Sequence, residues 1–161
     1  QQHIVVSTFN YLDEKVSTTR IKQALSSGNV KIANKLLGRN YSITGRVIPD
    51  RNVGAKIGFP TANVAIDADK FMLKNGVYYG KVSIDGEWYS SLINYGSRPT
   101  FNIDDKIIEA HILDFEGNLY KREITLDFID FIREIKKFDS KELLAEQIQK
   151  DILLIKGKKY D

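Results

Sequence analysis

Hydrophobic residues fall at helical spacing near both ends of the chain and at strand spacing between them. Near the start, Ile21, Ala24 and Leu25 follow the N-cap candidates Ser17, Thr18 and Thr19, and Gly28 stops the run. Ile32, Ala33, Leu36 and Leu37 repeat the device, with Gly38 as the C-terminal stop. The spacing predicts helices over residues 20–26 and 30–37, joined as one small helical hairpin. From Tyr41 the period becomes two, because Tyr41, Ile43, Gly45 and Val47 alternate with Ser42, Thr44 and Arg46. That change places a boundary near residues 38–40.

Alternation then continues between turn signals. Residues 76–84 and 87–95 flank Asp85-Gly86, a strong two-residue hairpin signal. Residues 107–115 and 119–132 flank Glu116-Gly117-Asn118 and are predicted to form a second hairpin. The last element reads as a helix, with Asp139 and Glu142 as a capping box and Leu144, Ile148, Ile152 and Ile155 as its apolar stripe. Strands in succession followed by one helix predict a mainly β fold: a small antiparallel barrel, a C-terminal helix packed outside it and a short N-terminal helical segment.

Composition removes several classes of function. A chain of 161 residues, 42% hydrophobic, suits one ordinary globular domain with a real core. It has no cysteine, which excludes disulfides and thiolate metal sites and fits a reducing, cytoplasmic compartment. No apolar run approaches the roughly 20 residues that span a bilayer, so no membrane association is expected. The opening QQHIVVSTFN lacks the basic-then-apolar layout of a signal peptide. The sequence begins at Gln1 and its one methionine is Met72, so it reads as a fragment. The net charge of +3 is dispersed, and the basic cluster Lys156-Gly157-Lys158-Lys159 reads as a solvated end. Nucleic acid is therefore not an expected partner, whereas phosphate-bearing small molecules suit the mild positive balance.

Three stretches carry candidate chemistry. In Ile57-Gly58-Phe59-Pro60-Thr61-Ala62-Asn63, proline fixes its own φ and donates no hydrogen bond, which keeps it out of a central strand. Thr61 and Asn63 are two apart and share one face of extended backbone. Two neutral oxygen side chains so placed suit a hard cation or a phosphate, and equally the plain start of a strand. Just upstream, Gly54 and Gly58 bracket Lys56 in a loop where backbone N–H groups and a cation can approach an anion. The pattern is nonspecific, and the GxxxxGK[ST] signature is absent. In residues 107–113, Ile108, Ala110 and Ile112 form an apolar face, which leaves Glu109 and His111 together on the other. A carboxylate there faces either water or a site. His111 by itself reads as a hydrogen-bonded structural histidine. With only His3 and His111 in the chain, a multi-histidine metal site is impossible.

Four motifs in order resemble the riboflavin kinase module of bacterial bifunctional riboflavin kinase/FAD synthetases. They are Gly58-Phe59-Pro60-Thr61-Ala62-Asn63, Gly76-Val77-Tyr78, Asn94-Tyr95-Gly96-Ser97-Arg98-Pro99-Thr100 and Glu109-Ala110-His111-Ile112-Leu113-Asp114. Leu119-Tyr120, Ile132-Arg133-Glu134, Lys137-Phe138 and residues 147–151 add to the match, which covers roughly residues 38–155. Val16-Ser17-Thr18-Thr19-Arg20-Ile21 resembles the closing ATP-contacting motif of the adenylyltransferase half of those enzymes. The resemblance implies a C-terminal remnant of an adenylyltransferase domain over residues 1–38 and a riboflavin kinase domain over 39–161, the latter a six-stranded, Greek-key-like barrel.

By the same resemblance, Thr61 and Asn63 hold Mg²⁺ or another divalent cation. Gly54, Lys56, Gly58, Thr61 and Asn63 bind ATP, and Glu109 is the general base. Arg133 and Phe138 lie toward the flavin. The implied substrates are riboflavin and ATP and the products FMN and ADP. The fragment is expected to be monomeric and to lack FAD synthetase activity, which belongs to the adenylyltransferase domain of a full-length chain. Two departures stand out: Asp50, Asn52 and Val53 occupy a loop that is usually richer in glycine and carries arginine, and Lys121 replaces a glycine expected after Leu119-Tyr120. The alternative reading is a non-catalytic barrel that binds flavin or oligonucleotide. A pure binder has no need of a base, so the trio Thr61, Asn63 and Glu109 favours the kinase.

Overall fold

The computed structural model describes residues 18–48, 61–67, 73–99 and 105–158, with backbone alone at 67, 97–99, 105 and 106. Residues 16 and 17, and the whole loop bearing Gly54, Lys56, Gly58 and Pro60, lie outside the described residues. Two helices, α1 (residues 18–26) and α2 (Val30–Leu37), precede six strands. The strands are β1 (Tyr41–Ile48), β2 (Thr61–Asp67), β3 (Gly76–Ile84), β4 (Glu87–Pro99), β5 (Asp105–Ile112) and β6 (Glu123–Arg133), and α3 (Lys141–Gly157) ends the fold. The helix starts and stops are chemical. Asn29 caps α2 by accepting from the Ile32 N–H, and Gly38 closes it in the left-handed region at φ 73°. No described helix is long and apolar enough to cross a membrane.

The strands close into a barrel in the order β1-β2-β5-β4-β3-β6, and every pairing is antiparallel. Strands β3, β4 and β5 follow one another by neighbouring connections while β2 lies beside β5, which is a Greek key. The mainly β, six-stranded reading of the sequence agrees with this. The turn at Asp85-Gly86 has φ of 52° and 84°, the left-handed pair that a tight hairpin needs.

The second predicted hairpin does not form. β5 pairs with β2 and β4, β6 pairs with β1 and β3, and residues 113–122 connect them without a ladder of their own. The reason is local and tertiary together. Asp114, Gly117 and Lys121 all have positive φ, which breaks extended backbone at three points. The end of the connection is tied to β1 by Lys121 N–H to Val47 O at 3.0 Å and Val47 N–H to Arg122 O at 2.8 Å. The left-handed Lys121, φ 70°, also accounts for the expected glycine, since that backbone suits glycine best.

Alternate residues fill the barrel. Val64, Tyr78, Val82, Ile93, Tyr95, Ile108, Ile112, Leu126 and Phe128 form its interior, and Ala24, Leu25, Val30 and Ala33 of the two N-terminal helices join the same cluster. Tyr78 lies edge-on to Tyr95, Phe128 and Phe131 at 5.3–6.2 Å between ring centres. Burial first, and Glu134 second, pushes its phenol far above the ordinary tyrosine range. At Gly80 the β3–β6 register shifts, and a Cβ would collide with the Asp127 carbonyl oxygen, so only glycine fits.

A second, smaller cluster lies on the barrel's outer face. Ile148, Ile152 and Ile155 of α3 pack there with Val77, Tyr79, Leu92 and Leu113, flanked by Leu144. That is the stripe the helical spacing predicts. The cap differs by one residue: Ser140, not Asp139, accepts from Leu143 N–H at 3.2 Å and starts the helix. A hydroxyl in extended backbone reaches that donor without help from Glu142.

Candidate active site

Strand pairing assembles the polar residues of the outer face. The antiparallel register sets Thr61 opposite His111 and Asn63 opposite Glu109 between β2 and β5. Glu109 in turn faces Asn94 on β4, Asn94 faces Val77 on β3, and Val77 faces Arg133 on β6. One row thus crosses five strands: Asn63, Glu109, Asn94, Val77, Arg133. Their chain neighbours Ala62, Val64, Ile108, Ala110, Ile93 and Tyr95 point the other way, into the core. The sequence-predicted base, cation ligands and flavin-side arginine are therefore brought onto one surface, with Glu109 and Arg133 three strand spacings, roughly 14 Å, apart along the sheet.

Between this row and the start of α3 lies a cleft of about 490 Å³, lined among others by Asn94, Glu109, His111, Arg133, Phe138 and Leu144. That is the size of an ordinary small-molecule site. Its walls are apolar at Val77, Leu92, Leu144 and Ile148, and polar both around Glu109 and where Arg133, Ser140 and Asp151 approach it.

Asn63 is the most unusual group. It is 1% exposed, and neither its amide nitrogen nor its amide oxygen has a hydrogen-bond partner among the described residues. A buried polar group left unsatisfied costs roughly 1–3 kcal/mol, so an amide held this way is a reason to look for a ligand. Thr61 lies two residues away on the same face, its Oγ1 3.2 Å from His111 Nδ1. His111 Nε2 lies 3.5 Å from Glu109 Oε1, so the imidazole stands between the threonine and the carboxylate. The donor set Thr61 and Asn63 is made of neutral oxygens. Among the described residues no group of three or more histidines and carboxylates is placed to hold a metal ion. This set fits a hard divalent cation such as Mg²⁺, which retains water and takes its remaining ligands from substrate phosphates.

At the other end of the row Arg133 is engaged. Its Nε donates to both Asp151 carboxylate oxygens at 3.0 Å, Nη2 lies 3.0 Å from Oδ2, and Nη1 donates to the Glu134 carbonyl at 3.1 Å. Gln147 adds a donor to Asp151, which is buried. The pair ties β6 to α3, and the guanidinium carbon sits 6.0 Å from the centre of the Phe138 ring. Arg133 thus shapes the cleft and positions Phe138.

Sequence reasoning missed Asn94 and Asp151 and set His111 aside as structural. The signal for Asn94 was its place between core residues Ile93 and Tyr95, but only the register puts it beside Glu109.

The flavokinase (riboflavin kinase) family model matches residues 37–157. A bifunctional riboflavin kinase/FMN adenylyltransferase of Haemophilus influenzae is 39% identical over 140 residues, covering 86% of this chain and 45% of the relative. The chain thus spans less than half the length of that relative. Among solved structures, a chain titled as a macrolide-efflux protein from Streptococcus pneumoniae superposes with a TM-score of 0.76 at 34% identity, covering 88% of this chain and 46% of that one. A riboflavin kinase from Trypanosoma brucei shares the fold, with a TM-score of 0.53 at 23% identity, covering 72% and 77%.

Proposed function

The chain belongs to the riboflavin kinase family, and from that premise we propose that it transfers the γ-phosphoryl group of magnesium-bound ATP to the ribityl 5′-hydroxyl of riboflavin, giving FMN and ADP. The observation that carries the reading is the buried amide of Asn63, without a partner among the described residues, beside Glu109, which lines the cleft. Thr61 and Asn63 would hold the cation, which when bound supplies charge that screens the phosphoryl oxygens. Glu109 accepts the proton of the attacking hydroxyl. The hydroxyl oxygen then bonds to the γ-phosphorus as the bond to the bridging oxygen of ADP breaks. A base so placed contributes about 10²- to 10⁴-fold, and positioning supplies much of the rest. The apolar walls given by Val77, Leu92, Phe138 and Leu144 suit a flat aromatic ring system, with the ribityl chain leading along the row to Glu109. The Haemophilus relative's name couples this activity with an FMN adenylyltransferase, and we read residues 1–38 as the end of such a domain.

Incubating the chain with riboflavin and ATP, with and without Mg²⁺, and separating the flavins by chromatography tests the reading. FMN should form only with the divalent cation present. Riboflavin binding without any FMN under saturating MgATP would replace the kinase by a non-catalytic flavin-binding barrel.

A further inference from the structure

His111 is 6% exposed and its ring touches both a proposed cation ligand and the proposed base. Its two ring nitrogens face groups of different need. Glu109 presents a carboxylate oxygen 3.5 Å from Nε2, which favours a proton on Nε2. A bare Nε2 would instead set two lone-pair-bearing atoms against each other. With the proton on Nε2, Nδ1 is an acceptor, and the Thr61 hydroxyl 3.2 Å away must donate to it. A threonine hydroxyl has one proton and two lone pairs. Committing the proton to His111 turns that O–H away from an incoming cation, which a hydroxyl meets through oxygen lone pairs.

We propose that His111 is a positioning residue, its Nδ1 fixing the Thr61 hydroxyl as a lone-pair donor toward the cation while its Nε2–H holds the Glu109 carboxylate. The inference rests on the kinase reading for what Thr61 and Glu109 do, but its first test does not. Ring ¹⁵N shifts of His111 in the metal-free chain report which nitrogen carries hydrogen. A bare Nδ1 with protonated Nε2 is expected, and any proton on Nδ1 overturns the proposal.

The second test separates the two contacts. In His111→Asn the side-chain oxygen stands near the former Nδ1 and still accepts from Thr61, but the Nε2 contact to Glu109 is lost. In His111→Gln the amide N–H₂ stands near the former Nε2 and still donates to Glu109, but the Nδ1 contact to Thr61 is lost. By calorimetry, the gain in ADP affinity on adding Mn²⁺ should drop about 10-fold in His111→Gln and stay within about threefold of the parent in His111→Asn. Turnover at saturating substrates should show the reverse order, falling about 10-fold in His111→Asn with KM values within about threefold. Equal changes in both variants would mean that His111 only fills space. If the parent itself gains no ADP affinity from Mn²⁺, the kinase reading fails, and the ring ¹⁵N result still decides the geometry at His111.

Discussion

Replacing Asn63 by leucine should make the free protein more stable and remove its response to magnesium nucleotide. Leucine has the same branching and number of side-chain heavy atoms as asparagine, so the swap changes polarity more than shape. The native side chain is 1% exposed, and neither polar atom has a partner among the described residues. Each orphaned group costs roughly 1–3 kcal/mol, and a volume-conserving apolar replacement costs under about 1.5 kcal/mol in repacking. The net gain is about 2 kcal/mol, which for a chain of this size raises Tm by roughly 4–8 °C. Calorimetry, with a urea titration to verify an unchanged slope, measures it. Added MgADP at about 100 times its Kd should stabilise the parent by about 2.7 kcal/mol and leave Asn63→Leu unmoved, so the order of the two melting temperatures reverses. A variant that melts at or below the ligand-free parent would refute the claim that this amide lacks a partner. A variant that MgADP stabilises as it does the parent would remove Asn63 from the site.

Glu109→Gln should lower kcat by about 10²-fold or more while riboflavin fluorescence titrations stay near the parent, and a near-parent rate would exclude Glu109 as the base. Arg133→Met strands the buried Asp151 carboxylate and should cost about 3–5 kcal/mol in urea unfolding; a loss below about 1 kcal/mol would mean the pair is solvated. Lys121→Gly relieves a left-handed backbone costing about 1–2 kcal/mol, offset by glycine's greater chain entropy of about 0.5–1 kcal/mol, so stability should rise by ~0.5–1 kcal/mol. A lower Tm there would show that the Lys121 stack on Tyr120 outweighs the backbone.

Features encoded by near neighbours were legible in the sequence. Asp85-Gly86 specifies its turn through backbone conformation alone, and Glu109 and His111 share a face because strand side chains alternate. The closing helix showed its buried stripe for the same reason. The failures lie where a distant partner decides. Glu116-Gly117-Asn118 has the composition of a hairpin loop, yet β5 and β6 each find better partners across the barrel, and the hydrogen bonds to Val47 come from more than seventy residues away. Nothing local to Arg133, which the family motif places toward the flavin, announces that Asp151, one turn beyond Gln147, pairs with its guanidinium. Asn94 needed the β4–β5 register before it meant anything.

Because the proposed chemistry sits on the outside of a filled barrel, selection can act on this protein through two distinct alphabets. In β2 and β5, positions 62, 64, 66, 108, 110 and 112 answer to volume, whereas on the proposed reading 61, 63, 109 and 111 answer to a ligand. A library randomised at the first set would change thermostability with little change in substrate choice, whereas one randomised at the second would change the response to substrates and, at the buried Asn63 and His111, stability as well. Insertions are another matter. One residue gained within β2 would exchange the two sets beyond it, so the strand tolerates drift in letters far better than drift in length.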